Sequence, residues 1–128
     1  MSSRTIISTP DAPAAVGTYS QAVKVGNTVY VSGQIPLDPR SGQLVTSSMD
    51  AQIRRVFDNL NAIITASGGT FASVTKLNVF LTDLSHFALL NQIMAEYFQE
   101  PYPARAAIQV AALPKGAAVE MDCVLELG

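Results

Sequence analysis

Two ionisable side chains near the end of the chain are of the types that act on a small acidic molecule. Arg105 lies in the run Pro103-Ala104-Arg105-Ala106-Ala107-Ile108-Gln109-Val110, and Glu120 lies in Val119-Glu120-Met121, with Leu113-Pro114-Lys115-Gly116 as a turn signal between them. A guanidinium is permanently charged and presents a planar fork of donors that matches a carboxylate. On a strand of small residues such a group orients an acidic ligand, or else it forms half of a structural ion pair. The sequence leaves both readings open. A glutamate supplies the complementary chemistry, a carboxylate able to take a proton or hold a water.

Alternation places these groups. From Val119 to Leu127 the odd positions are Val119, Met121, Cys123, Leu125 and Leu127, while Glu120, Asp122 and Glu126 are even, the pattern of a half-buried strand. Glu120 therefore points away from the apolar face. In the earlier run Arg105, Ala107 and Gln109 share one face, and Ala106, Ile108 and Val110 the other. If the two runs form an antiparallel hairpin, Arg105 and Glu120 share a face only in registers whose paired residue numbers sum to an odd total. The sequence does not fix that register.

Other polar groups fall at places where a ligand can approach. Thr9 to Gly17 carries Pro10, Asp11, Ala12 and Pro13 and reads as a loop delivering Tyr19, which serves either as a packing residue or as a hydroxyl in a pocket. Ser20–Val25 and Thr28–Gln34, joined by Gly26-Asn27, read as a hairpin. Its second strand runs through Ser32-Gly33, where the missing side chain admits a ligand to the backbone or marks a bulge. Pro36 to Gly42 is dense in turn formers and reads as a loop.

Met49 to Ser67 places Ile53, Val56, Phe57, Leu60, Ile63 and Ile64 at helical spacing, with Gly68-Gly69 as a stop and Arg54, Arg55, Asp58 and Asn61 on a solvated face. Val74 to Thr82 alternates, with Leu77, Val79 and Leu81 on one face and Lys76, Asn78, Phe80 and Thr82 on the other. A second helix starts near Ser85, read as its N-cap, with the stripe Phe87, Leu90, Met94, Tyr97 and Phe98. Asn91, four residues after Phe87, stands beside that stripe and requires a polar partner. The only histidine, His86, is read as a surface residue, and the only cysteine, Cys123, as a packed core thiol.

Totals narrow the function. The 128 residues suit one domain. Eight Lys+Arg against ten Asp+Glu, for a net charge of −2, with no basic run, speak against nucleic acid as a partner. The start, Met1 to Ile7, reads as neither a signal peptide nor a membrane span, so the expected compartment is the cytoplasm. One cysteine excludes an internal disulfide and a multi-thiolate metal site. No motif for a metal, flavin or nicotinamide occurs. The order strand, hairpin, helix, strand, helix and two closing strands reads as an α+β, two-layer sandwich with both helices on one sheet face. The uncovered face, with Ala106, Ala107, Phe80, Tyr30 and Val124, is expected to meet other subunits in an obligate closed homo-oligomer.

Three stretches together resemble the Rid (YjgF-type) family of enamine/imine deaminases: Gly17-Thr18-Tyr19-Ser20-Gln21, Ser32-Gly33-Gln34-Ile35-Pro36, and Pro103-Ala104-Arg105 with its strand, turn and Val119-Glu120-Met121. The likeness runs over essentially the whole chain. It implies a mixed β-sheet in a chorismate-mutase-like fold, a homotrimer with pockets in the clefts between subunits, and hydrolysis of 2-aminoacrylate and 2-iminobutyrate to 2-oxo acids and ammonia without a cofactor. It implies Arg105 as carboxylate clamp, Glu120 as base or water-positioning group, and Tyr19, Ser32 and Gly33 as substrate contacts, with Phe87, Asn91 and Ala107 around them. Two departures stand out. Thr18 replaces the usual Pro before the tyrosine, and Ala106-Ala107 replace the Ser and Cys of many members, which rules out a covalent cysteine step there. The alternative is a trimeric protein that binds or senses 2-oxo acids without turnover, which has no need of Glu120. A ribonuclease reading, also attached to the family, fits poorly with the acidic balance and lone histidine.

Overall fold

Residues 4–128 are described by the computed structural model of this chain, and the reading of residues 1–3 lies outside the described residues. Strands β1 (Arg4–Ile7), β2 (Ala22–Val25), β3 (Thr28–Gln34), β4 (Val74–Leu81), β5 (Ala104–Gln109) and β6 (Val119–Glu126) form one sheet in the order β1-β2-β3-β6-β4-β5. Only the β4–β5 pair is parallel. The expected two-residue turn joins β2 to β3, with Gly26 at φ 59° and Val25 opposite Thr28.

The last strand is the central one. β6 lies antiparallel to both β3 and β4, so its odd residues complete a core that those strands leave open. Val119, Met121, Cys123 and Leu125 are buried, as are Val29, Val31, Leu77, Val79 and Leu81. Helices α1 (Met49–Ala66) and α2 (Phe87–Tyr97) close this face. Burial of the thiol, reinforced by the charge of Asp122, pushes Cys123 up to about 12, which keeps it protonated and non-nucleophilic at neutral pH. Phe57 is the hub of the helical layer. Its ring stacks on Tyr97 at 4.8 Å and meets Phe71 and Phe98 edge-on. Among the described residues no helix is long and apolar enough to cross a membrane.

Three readings of the sequence need correction. The two closing runs do not pair with each other, because β4 lies between β5 and β6. Ser85 does not cap the second helix: it lies inside a 3₁₀ turn, Leu84–His86, that leads into α2, and Asp83 caps that turn, its carboxylate accepting from Ser85 N at 2.9 Å. His86 is half-buried in that turn. Ala107, counted with the open face, instead shares the helix-covered face with Leu77 and Val79 and packs against the core.

Helix α1 begins at Ser48, whose hydroxyl accepts from Ala51 N at 3.0 Å, and Gly68 at φ 91° ends it. Its one fully buried polar residue, Asn59, ties the helix to the chain leaving β3: Nδ2 donates to Leu37 O at 2.9 Å and Ile35 O at 3.3 Å, while Oδ1 accepts from Arg55 Nε at 3.1 Å. Asn59→Ala would strand two carbonyls and leave a cavity. Urea denaturation should show a loss of about 1–3 kcal/mol, and a loss under about 0.5 kcal/mol would mean that water replaces the amide without cost.

Candidate active site

Glu120 and Arg105 occupy opposite faces of the sheet. Leu77 stands between Arg105 and Cys123 in register, so Arg105 lies on the helix-covered face. Phe80 stands between Ile108 and Glu120, which puts Glu120 on the open one. Each group sits in its own cleft. No ion pair joins them, and Arg105 has no acidic partner among the described residues, so the structural ion-pair reading of Arg105 does not hold within one chain.

The Glu120 cleft is built on an irregularity in β3. Val31 pairs with Cys123 but Gln34 pairs with Met121, so Ser32 and Gly33 both stand opposite Asp122 as a β-bulge. A Cβ on Gly33 would fall on Glu120 Oε2 and lie 3.0 Å from its Cδ. The glycine is therefore the space that the carboxylate fills. Burial, and then the like charge of Asp122, raise the Glu120 carboxyl above its ordinary value. The sign for stability is unfavourable: a carboxyl with a raised folded value stabilises the fold below its unfolded pKa and loses that contribution as pH rises through the folded one. Such a cost is typical of functional sites.

Tyr19 reaches this cleft on a loop that Gln21 holds down. Gln21 is buried, its Oε1 accepts from Thr9 N at 2.7 Å, and its Nε2 donates to Pro13 O at 2.8 Å and Thr9 O at 3.1 Å. Ser32 fastens the other end, with Oγ donating to Ser20 O at 2.5 Å and its N–H to Gln21 O at 2.9 Å. Ser32 Oγ keeps lone pairs to accept from a ligand. Pro13, Val16, Ile35 and Leu37 supply apolar walls, and Lys115 a cation, to a cavity of about 500 Å³, the size of a small-molecule site.

The second cleft belongs to Arg105. Its guanidinium lies over the Phe87 ring, 5.1 Å from the centroid, and Nη1 donates to Asn91 Oδ1 at 2.5 Å and meets Met94 Sδ at 3.6 Å. The polar partner required by Asn91 is thus Arg105. One edge of the fork is oriented by α2, and Nε and Nη2 have no partner among the described residues. Tyr102 and Pro103 complete the lining.

A family model described as Endoribonuclease L-PSP matches residues 9–127. The chain belongs to this family. It includes the Rid proteins, as the sequence resemblance implies. The chain is 45% identical over 125 residues to the 2-iminobutanoate/2-iminopropanoate deaminase of Dermatophagoides farinae, with 98% of each chain covered. It is 49% identical to the protein of that name from Rattus norvegicus, covering 98% of this chain and 91% of the relative. Among solved structures, RidA from the Antarctic bacterium Psychrobacter sp. aligns with a TM-score of 0.92 at 56% identity over 95% of this chain and 98% of that one. E. coli TdcF, solved with bound serine, aligns with a TM-score of 0.92 at 37% identity over 97% and 99%.

Within this L-PSP-family chain, the sequence-derived candidates divide cleanly. Tyr19, Ser32, Gly33 and Glu120 gather in one cleft, and Phe87, Asn91 and Arg105 at the other. Ala107 lines neither cleft, although it shares the face of Arg105. Sequence reasoning missed Lys115 and the anchoring of the loop by Gln21. The first has no periodic signal, and the second, though it follows Tyr19 and Ser20 in sequence, acts through backbone groups. Gly33→Ala should push the Glu120 carboxylate out of its slot and lower turnover about tenfold or more, with little change in melting temperature because the clash is with the end of a flexible side chain. Wild-type turnover in Gly33→Ala would remove Glu120 from the chemistry.

Proposed function

We propose that this chain is a hydrolase of reactive enamines and imines, acting on 2-aminoacrylate and 2-iminobutyrate and releasing 2-oxo acids and ammonia, and that its active site forms between subunits of a homotrimer. The relatives named as 2-iminobutanoate/2-iminopropanoate deaminases support the reaction class. The single observation that carries the mechanism is the half-buried Glu120 carboxylate held against Gly33. A sensor of 2-oxo acids has no use for a desolvated carboxylate at that point, whereas a hydrolase does. The chain's only histidine lies outside both clefts, which leaves the ribonuclease reading without a nearby imidazole.

The chemistry is light. The enamine takes a proton at its β-carbon to become the imine, and Arg105 clamps the α-carboxylate with its free donors. Glu120 accepts a proton from a water as its oxygen attacks the imine carbon, and that proton is returned to the imine nitrogen. The resulting carbinolamine collapses when Glu120 takes its hydroxyl proton and the amine nitrogen gains one, so that ammonia leaves and the 2-oxo acid remains. Tyr19, Ser32 and the Gly33 backbone hold the imine end. Positioning supplies most of the acceleration.

Two groups on opposite sheet faces cannot grip the same four-carbon acid in one chain. They meet if the Arg105 face of one subunit packs against the Glu120 face of the next, a head-to-tail contact that closes as a ring. Ile6, Tyr30 and Ile108, each about half exposed on the open face, supply apolar area for that contact. The proposed ring has three subunits, the count implied by family resemblance, in a cytoplasmic protein.

Arg105→Ala and Glu120→Gln should each lose two to three decades in rate. Mixed after dissociation and reassembled, the two inactive proteins should regain about a quarter of wild-type activity, since that share of clefts pairs an intact Arg105 with an intact Glu120. No recovery, in a mixture whose native mass spectrum shows hybrid trimers, would place the site within one chain. The pH dependence is a separate check. The acid limb of kcat should lie above 4.5, the ordinary glutamate value, and Asp122→Asn should move it downward by removing the like charge. An unmoved limb would mean that another group titrates.

A further inference from the structure

Lys115 takes no part in the reaction as described, yet it lines the Glu120 cleft. Its backbone sits at φ 58°, ψ 19°, and it is the only non-glycine residue with positive φ among the described residues. That left-handed region suits glycine or asparagine, and a lysine held there carries strain of the kind that collects at ligand sites. The turn from Pro114 to Gly116 keeps it there, with Gly116 N donating to Leu113 O at 3.2 Å and Ala117 N to Pro114 O at 3.1 Å. The ammonium has no hydrogen-bond or ion-pair partner among the described residues, so this cation is not employed in holding the fold.

The cleft poses an electrostatic problem that Lys115 answers. A 2-imino acid brings its own carboxylate, and the cleft already holds the Glu120 carboxylate with Asp122 behind it. Of the residues lining the cleft, Lys115 alone is positive. Building on the deaminase reading, we infer that Lys115 is a specificity-determining residue that draws anionic substrate into the cleft against the repulsion of Glu120. It acts on capture, before Arg105 of the neighbouring subunit takes hold of the carboxylate. Its influence therefore belongs in KM and in the salt dependence of kcat/KM, not in kcat.

The test follows initial rates on 2-iminobutyrate generated in situ, for wild type, Lys115→Gln, Lys115→Arg and Lys115→Gly, at low salt and at about 0.5 M NaCl, where screening reaches within a few ångströms. At low salt Lys115→Gln should raise KM about tenfold, with kcat within about twofold. High salt should abolish most of the difference, and Lys115→Arg should restore a low KM. Lys115→Gly removes the amine and relieves the backbone. It should melt at or above the wild-type temperature while showing the same high KM, which separates loss of charge from damage to the fold. A KM equal to wild type at low salt, or a fall in kcat at constant KM, would overturn the inference. Should wild type fail to hydrolyse the imine, the deaminase reading falls. Calorimetry with 2-oxobutyrate then decides this point alone: weaker binding by Lys115→Gln sustains it, and equal binding ends it.

Discussion

The alternation of side chains along β6 is the constraint on which the rest of the molecule depends. Because β6 is bonded on both sides, its odd residues cannot leave the core without opening two ladders at once. The even residues are then committed to the open face, and Glu120 with them. The same parity, carried across β4 in register, sends Arg105 to the other face. The two clefts, and the assembly proposed from them, are thus consequences of one rule about which way side chains point. A chain obeying that rule carries its two clefts on opposite faces of one sheet.

Buried amides do for the loops what the apolar core does for the sheet. Gln21 satisfies one backbone donor and several carbonyls of the segment before Tyr19, and Asn59 does the same for the segment after β3. The first loop lacks strand pairing and the second has only the isolated bridge between Leu37 and Leu44, so a backbone group left unpaired there would otherwise need water. Both walls of the Glu120 cleft are therefore positioned by side-chain hydrogen bonds, while its floor is positioned by strands.

Periodic features were legible in the sequence, and non-periodic ones were not. The stripe of α1 and the alternation of β4 and β6 follow from local spacing, and the structure buries the residues that spacing selects. The partner of β5 was not legible, because pairing with β4 in parallel requires α2 to cross between them, and nothing local distinguishes that from a hairpin. Ser85 reads as the start of the second helix because it and Asp83 are both good capping residues two positions apart, and the 3₁₀ turn that Asp83 caps has no periodic signal. Spacing marks Asn91 as a polar residue in want of a partner, yet only the fold shows that the partner is Arg105. Sequence alone allows either a bulge or a ligand approach at Ser32-Gly33, and the register with β6 shows the bulge.

That bulge separates what folds the chain from what shapes the Glu120 cleft. In an ordinary strand the loss of one residue inverts every side chain beyond it. In β3 the extra residue is already surplus to the ladder: without Gly33, Val31 would still face Cys123, Ser32 would face Asp122, and Gln34 would fall opposite Met121 as it does now. The shortened strand would be more regular than the natural one, with its inward residues unchanged. A one-residue deletion here is therefore compatible with the sheet and incompatible with the slot for Glu120. A deletion variant that melts like the parent but has no turnover would mark this position as one where the length of the chain, and not the packing of its core, is set by chemistry.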